Sequence, residues 1–176
     1  MTRNYWFIVL TLCCSLSVLQ PAQAHARCDR VEGRFEGVFE FTNAPGEPTT
    51  GKASGKLTGD LAGTFSAEYF NFVVFDKVAT TLNGRHAFSV GGSAAGNVLL
   101  TFDKILLFPD PTNANKVTAD SILEIVGGTG IYEGAIGSLD TGNGGVDFTP
   151  DPSIPTGAGK LSIGYKGKFC RPDKHR

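Results

Sequence analysis

Between residues 31 and 41 apolar and small side chains alternate with charged ones. Val31, Gly33, Phe35, Gly37, Phe39 and Phe41 share one parity, and Glu32, Arg34, Glu36, Val38 and Glu40 the other. A period of two with charge on one face predicts a half-buried strand. A weaker strand of small residues is expected at 52–58. The stretch 64–75 is apolar on both parities, with Phe65, Tyr69, Asn71, Val73 and Phe75 continuing one face and Phe70, Phe72 and Val74 the other. Residues 98–108 repeat the pattern, with Leu99, Ile105 and Leu107 opposite Val98, Leu100, Phe102, Leu106 and Phe108. A strand apolar on both faces predicts that its outer face meets another subunit or a covering loop.

Further strands are expected at 78–82 and 85–90, joined by Asn83-Gly84 as a tight hairpin turn, and at 117–126, 131–139 and 161–169. Loops rich in Pro, Gly and Asp are expected at 43–51, 109–115 and 140–155. Eight or nine short strands without a helix predict an all-β barrel or sandwich.

The opening of the chain breaks this pattern. Arg3 precedes a mostly apolar run from Tyr5 to Leu19, followed by Ala22-Gln23-Ala24, with Ala24-His25-Ala26 as a second cleavage register. That is the layout of a signal peptide. Its apolar run falls short of the roughly 20 residues of a spanning helix, so no stable membrane anchor is expected. The expected organisation is a signal peptide over 1–24 and one domain over 25–176, in a secreted or periplasmic protein. Loss of Arg3 leaves 15 basic residues against 17 acidic ones. Nothing basic is concentrated enough for nucleic acid, and the mildly basic tail of Lys166, Lys168, Arg171, Lys174 and Arg176 suits a solvated strand edge.

Cys13 and Cys14 leave with the signal segment, so Cys28 and Cys170 remain. In an oxidising compartment an even count predicts one disulfide. The bridge would tie the start of the first strand to the end of the last. Neighbouring termini fit a closed barrel, or a sandwich with adjacent ends. Two free thiols are the other reading, without a CxxC spacing or a nearby His to favour it.

The run Val126-Gly127-Gly128-Thr129-Gly130-Ile131-Tyr132-Glu133-Gly134-Ala135-Ile136-Gly137 is the most distinctive stretch. It is no phosphate loop, since the third glycine of a GxGxxG comes one position late and no GK[ST] is present. Glycines inside strands mark bulges, bends and close backbone approach. The run resembles the GGTG-aromatic-x-GA-x-G signature of the allene oxide cyclase barrel-like superfamily, which includes the plant dirigent proteins. The segment Arg34-Phe35-Glu36-Gly37-Val38-Phe39 is similar to the family's opening strand. The resemblance implies a single eight-stranded antiparallel β-barrel around an apolar cavity. It also implies trimers in the plant members and, in several, cyclisation or coupling of reactive intermediates without a cofactor.

On a barrel, functional groups would be polar side chains at inward strand positions. His86 shares parity with Phe88 and Val90, and a reference pKa near 6.5 suits it to acid–base work. Tyr69, Asn71 and Tyr165 complete the candidate set as groups that would orient or protonate a ligand, with an ordinary barrel role as the alternative for each. Lys104, on the parity of Phe102 and Leu106, is expected to reach towards a barrel mouth. The segment 140–147 is acidic and glycine-rich but lacks the alternating ligands and closing Glu of an EF-hand, so no metal is expected. No HExxH, GxSxG or CxxC occurs.

Two functions therefore stand. One is a cofactor-independent isomerase or cyclase that folds an apolar substrate towards one ring closure. The other is a non-catalytic module that carries an apolar ligand as lipocalins do, or assembles into a homo-oligomer through its apolar outer strands.

Overall fold

A computed structural model describes residues 26–43, 49–75, 79–91 and 96–173. The expected signal peptide, His25 and His175 lie outside these residues. Eight strands follow in chain order: β1 (Ala26–Phe41), β2 (Gly51–Gly59), β3 (Gly63–Phe75), β4 (Ala79–Val90), β5 (Val98–Asp110), β6 (Asn113–Gly128), β7 (Ile136–Asp147) and β8 (Gly159–Pro172). Each pairs antiparallel with its neighbour in sequence, and β8 pairs with β1, so the sheet closes into a ring. Among the described residues no helix is long and apolar enough to cross a membrane.

The ring closes where the cysteines are. Cys28 and Cys170 are register partners across β1 and β8 and form a disulfide spanning 142 residues. In the chain-entropy picture a loop of this length stabilises by about 5 kcal/mol. The bond also fits an oxidising environment.

Alternation decides the interior. Val31, Phe35 and Phe39 from β1, Ala53 and Leu57 from β2, Phe65 and Ala67 from β3, and Leu161, Tyr165 and Phe169 from β8 all point inward and are buried. Phe35 is the hub, its ring centroid 5.3 Å from those of both Phe65 and Phe88. Such offset and edge contacts add about 0.5–1.5 kcal/mol each beyond burial.

The glycine run forms the cap at one end. Residues 131–135 are not strand, contrary to the alternation-based expectation. A single 3₁₀ turn, Gly130–Tyr132, folds inward and β7 begins only at Ile136. Gly130 has a φ of 62°, and a β-carbon there would collide with Asn97 Oδ1. That oxygen accepts the Ile131 amide at 3.1 Å, while Thr129 Oγ1 donates to Gly96 O at 2.7 Å. The stitched turn places Tyr132 against Phe169, their centroids 5.6 Å apart.

Four further expectations need correction. Asn83-Gly84 is not a turn but lies inside β4, paired with β3 and β5 on either side. The loop expected at 109–115 shrinks to two residues between β5 and β6. About half of the irregular stretch expected at 140–155 is β7, whose ladder to β8 shifts register between Gly142 and Gly145. Finally, β3 does not keep one parity, because its ladder to β4 shifts between Phe70 and Val73 around Asn71, which has a φ of 56°. A bulge inserts an extra residue and exchanges the faces beyond it. Phe72 and Val74 therefore turn towards the interior, and Val73 and Phe75 lie exposed outside.

Candidate functional site

The interior contains a cavity of about 330 Å³, within the range of small-molecule sites. Phe35 and Phe65 form its floor, and Phe41, Phe72, Val74, Leu107 and Phe148 stand near its mouth. The mouth lies at the end of the ring where β1, β3, β5 and β7 finish. One wall, from β8 and β1, is apolar, with Leu161, Ile163, Phe35 and Phe39. The facing wall carries Tyr69, His86, Asp103, Ser121 and Thr141 from five consecutive strands, β3 to β7.

Strand register places these groups in one layer. Tyr69 pairs with Gly84, Gly84 with Asp103, and Ser121 with Thr141. Gly84 explains the Asn83-Gly84 dipeptide. A β-carbon at Gly84 would collide with Asp103 Oδ1 and crowd His86 Cε1 and Tyr69 Cε1, at 3.0 and 3.1 Å. The glycine makes the room in which the three side chains meet.

Asp103 is the centre of the layer, with 1% of its side chain exposed. Ser121 Oγ donates to its Oδ2 at 2.9 Å. Thr141 Oγ1 lies 2.9 Å from Ser121 Oγ and donates to Ser121 O at 3.2 Å. The other Asp103 oxygen, Oδ1, has no hydrogen-bond partner among the described residues. The Gly84 amide is close enough to favour the charged form, but it does not meet hydrogen-bond geometry with that oxygen.

Burial outweighs attraction throughout this layer. It pushes Asp103 up to about 6, with the Ser121 and Gly84 contacts pulling the other way. It pushes His86 down to about 3. His86 Nδ1 lies 3.8 Å from Asp103 Oδ1, close enough for an ion pair by distance, yet the imidazole is neutral at physiological pH. A hydrogen bond between His86 Nδ1 and Thr101 Oγ1 at 3.2 Å holds the ring. Burial, and then the Asp103 charge, pushes Tyr69 above the ordinary phenol range, so it stays a neutral hydroxyl.

Of the four residues singled out by alternation, Tyr69 and His86 meet in the cavity with ring centroids 5.6 Å apart. Asn71 sits on the bulge, exposed and away from the cavity. Tyr165 is buried below the cavity, where its hydroxyl donates to Thr58 O at 2.8 Å and accepts the Leu61 amide at 3.2 Å. That hydroxyl closes the β2–β3 turn onto β8. Lys104 points outward and is exposed. Thr101, Asp103, Ser121 and Thr141 escaped the alternation-based choice, although Asp103 shares parity with Leu99 and Ile105 and Ser121 with Ala119 and Leu123. Comparison with protein-family models, curated proteins and solved structures finds no match to the chain.

Proposed function

We propose that this chain is an exported β-barrel of the allene oxide cyclase-like kind that binds one small apolar molecule in its interior. The observation that carries the reading is the cavity itself: a 330 Å³ space with aromatic walls and one cluster of buried polar groups on a single side. An apolar wall opposite a polar arc fixes which way round a ligand lies. Tyr69 supplies a neutral donor and Asp103, titrating near 6, an acceptor for a proton. Groups so matched suit a cofactor-independent isomerase or cyclase, in which orientation and one proton transfer are the whole of the chemistry. The dominance of phenyl rings in the lining also favours a carrier, the non-catalytic form of the same reading.

Leu100, Phe102, Leu106 and Phe108 on β5, with Ile122 and Val126 on β6, leave an apolar outer face exposed in the single chain. A homo-oligomer burying that face belongs to the proposal, and sedimentation at micromolar concentration tests it.

Binding is tested with N-phenyl-1-naphthylamine, a neutral probe whose emission rises on leaving water. Saturable binding of one probe per chain is expected, abolished by Ala119→Phe, which fills the cavity from β6. No saturable binding, or binding indifferent to Ala119→Phe, would overturn the reading. Native mass spectrometry of protein from its own exported fraction, followed by organic extraction, then identifies what it carries.

A further inference from the structure

The cavity reading leaves the ligand's polar end unspecified, and one side chain of the polar arc narrows it. Tyr69 is 7% exposed, and its hydroxyl has no hydrogen-bond partner among the described residues. That hydroxyl is not sealed, because among the described residues the one buried polar side-chain atom lacking both a partner and accessible surface is Asp103 Oδ1. Tyr69 lines the cavity, so the surface its hydroxyl keeps opens there. The hydroxyls beside it are engaged within the wall, Ser121 Oγ donating to Asp103 Oδ2 and Thr141 Oγ1 to Ser121 O. A phenol, with an ordinary pKa near 10, holds its proton at neutral pH. Tyr69 therefore presents an unspent donor to the cavity. An enclosed donor without an acceptor is destabilising, so a ligand that brings an acceptor gains over one that does not.

The lining also decides the charge and the body of what brings that acceptor. Among the described lining residues neither Lys nor Arg occurs. A carboxylate would enter without a basic partner, and burying an unpaired charge is costly. A protonated amine has no lone pair with which to accept. A neutral oxygen meets both conditions, and a carbonyl oxygen accepts without bringing a proton that the site must satisfy in turn. The facing wall, with Leu161, Ile163 and Phe35, packs against an apolar or aromatic body.

Resting on the cavity reading above, we propose that the ligand is a neutral carbonyl compound with an apolar body, its oxygen accepting a hydrogen bond from the Tyr69 hydroxyl and its body lying along the Leu161 and Ile163 wall. Tyr69 then favours a carbonyl over an alkyl group of the same shape, and the lining excludes the corresponding carboxylate.

The test uses acetophenone, isopropylbenzene and sodium benzoate, which share a phenyl ring and a branched group of one size, as displacers of N-phenyl-1-naphthylamine at pH 7.5 on the disulfide-intact protein. Tyr69→Phe is expected to lower the affinity for acetophenone relative to isopropylbenzene by about 5-fold, the loss of one neutral hydrogen bond. Benzoate is expected not to displace the probe. A relative affinity unchanged by Tyr69→Phe overturns the assignment, and so does benzoate displacing as well as acetophenone. Infrared spectroscopy of acetophenone labelled with carbon-13 at the carbonyl decides the matter on the unaltered protein, whether or not the variant folds. The bound carbonyl stretch should lie below its value in hexane, as a hydrogen-bonded carbonyl does. A hexane-like stretch overturns the assignment, as does a lowered stretch that persists in Tyr69→Phe. If all three compounds fail while N-phenyl-1-naphthylamine saturates the cavity, the carbonyl assignment falls and the cavity reading stands. If that probe fails too, both fall.

Discussion

At the end of the ring that carries the β2–β3 and β6–β7 connections, Leu61, Phe88, Leu99 and Ala135 meet with no more than 1% of each exposed. At the other end, side chains of the same kind stand open, Phe41 at 52% and Val74 at 67%. The strands and their alternation are common to both ends, and the difference lies in what closes them. One end has the glycine cap, Tyr132 and the β1–β8 disulfide, so its inward residues pack to completion. Among the described residues the other has no such plug, and its phenyl rings line a cavity instead. Stability is concentrated at the first end and the proposed binding at the second, with the polar layer around Asp103 at the boundary.

The sharpest way to break this division is to truncate one phenyl ring at each end. Phe88→Ala should cost about 3–5 kcal/mol, because the site is fully enclosed and cannot collapse. Phe72→Ala at the mouth should cost under about 1 kcal/mol, since a half-buried ring leaves no sealed cavity behind. Urea unfolding checks both, and similar losses would show that the ends do not differ. Opening the disulfide by Cys28→Ser with Cys170→Ser comes next, with an expected loss of about 2–5 kcal/mol. It should leave the affinity for N-phenyl-1-naphthylamine unchanged, because the bridge lies on the exterior at the capped end. A parallel loss of affinity would mean that the ends are coupled.

The boundary layer has its own signature in pH. Asp103 titrates near 6 in the folded chain against an ordinary 3.8. Its contribution to stability is fully present below the lower value and is lost as pH rises through the upper one. His86 runs the other way, near 3 against 6.5, so its contribution is present above 6.5 and is lost as pH falls towards 3. Between about pH 4 and 6 the two slopes oppose each other. Asp103→Asn should therefore stabilise the protein by about 1–3 kcal/mol at pH 8 and by nothing at pH 4. It should also expose the His86 slope as a steeper loss on acidification. Urea midpoints across that range decide it, and a difference constant with pH would show that Asp103 does not titrate there.

Much of this fold is legible from alternation alone, because a closed sheet with a filled interior forces every strand into a period of two. Phe35, Phe65 and Leu161 point inward for that reason, and Cys28 with Cys170 marks the seam. Tyr69 and His86 are readable from the parity of Phe65 and Phe88. Asp103 is readable in the same way, but an acid on a strand usually faces water, and only register shows that Ser121 and Gly84 receive it inside. Asn71 and Asn143, which have positive φ, sit where alternation fails. Asn tolerates the left-handed region, so the signal is present but shared with many loop positions. Asn83-Gly84 shows the converse, since a dipeptide common in turns serves here to admit a carboxylate.

The Asn71 bulge gives the smallest effect and the finest test of how the open end is shaped. With φ at 56°, Asn71→Gly should change stability by no more than about 0.5 kcal/mol, while Asn71→Val should cost about 1–2 kcal/mol. The second effect is geometric. Without the bulge, the end of β3 would slip by one residue, replacing Phe72 and Val74 in the cavity wall with Val73 and Phe75. A Val variant that relieves its strain in this way would keep most of its stability and lose affinity for N-phenyl-1-naphthylamine, whereas the Gly variant keeps both. Equal affinity in the two variants would show that the mouth holds its shape without the bulge, through the packing of Phe72 on Phe41, whose centroids are 6.1 Å apart.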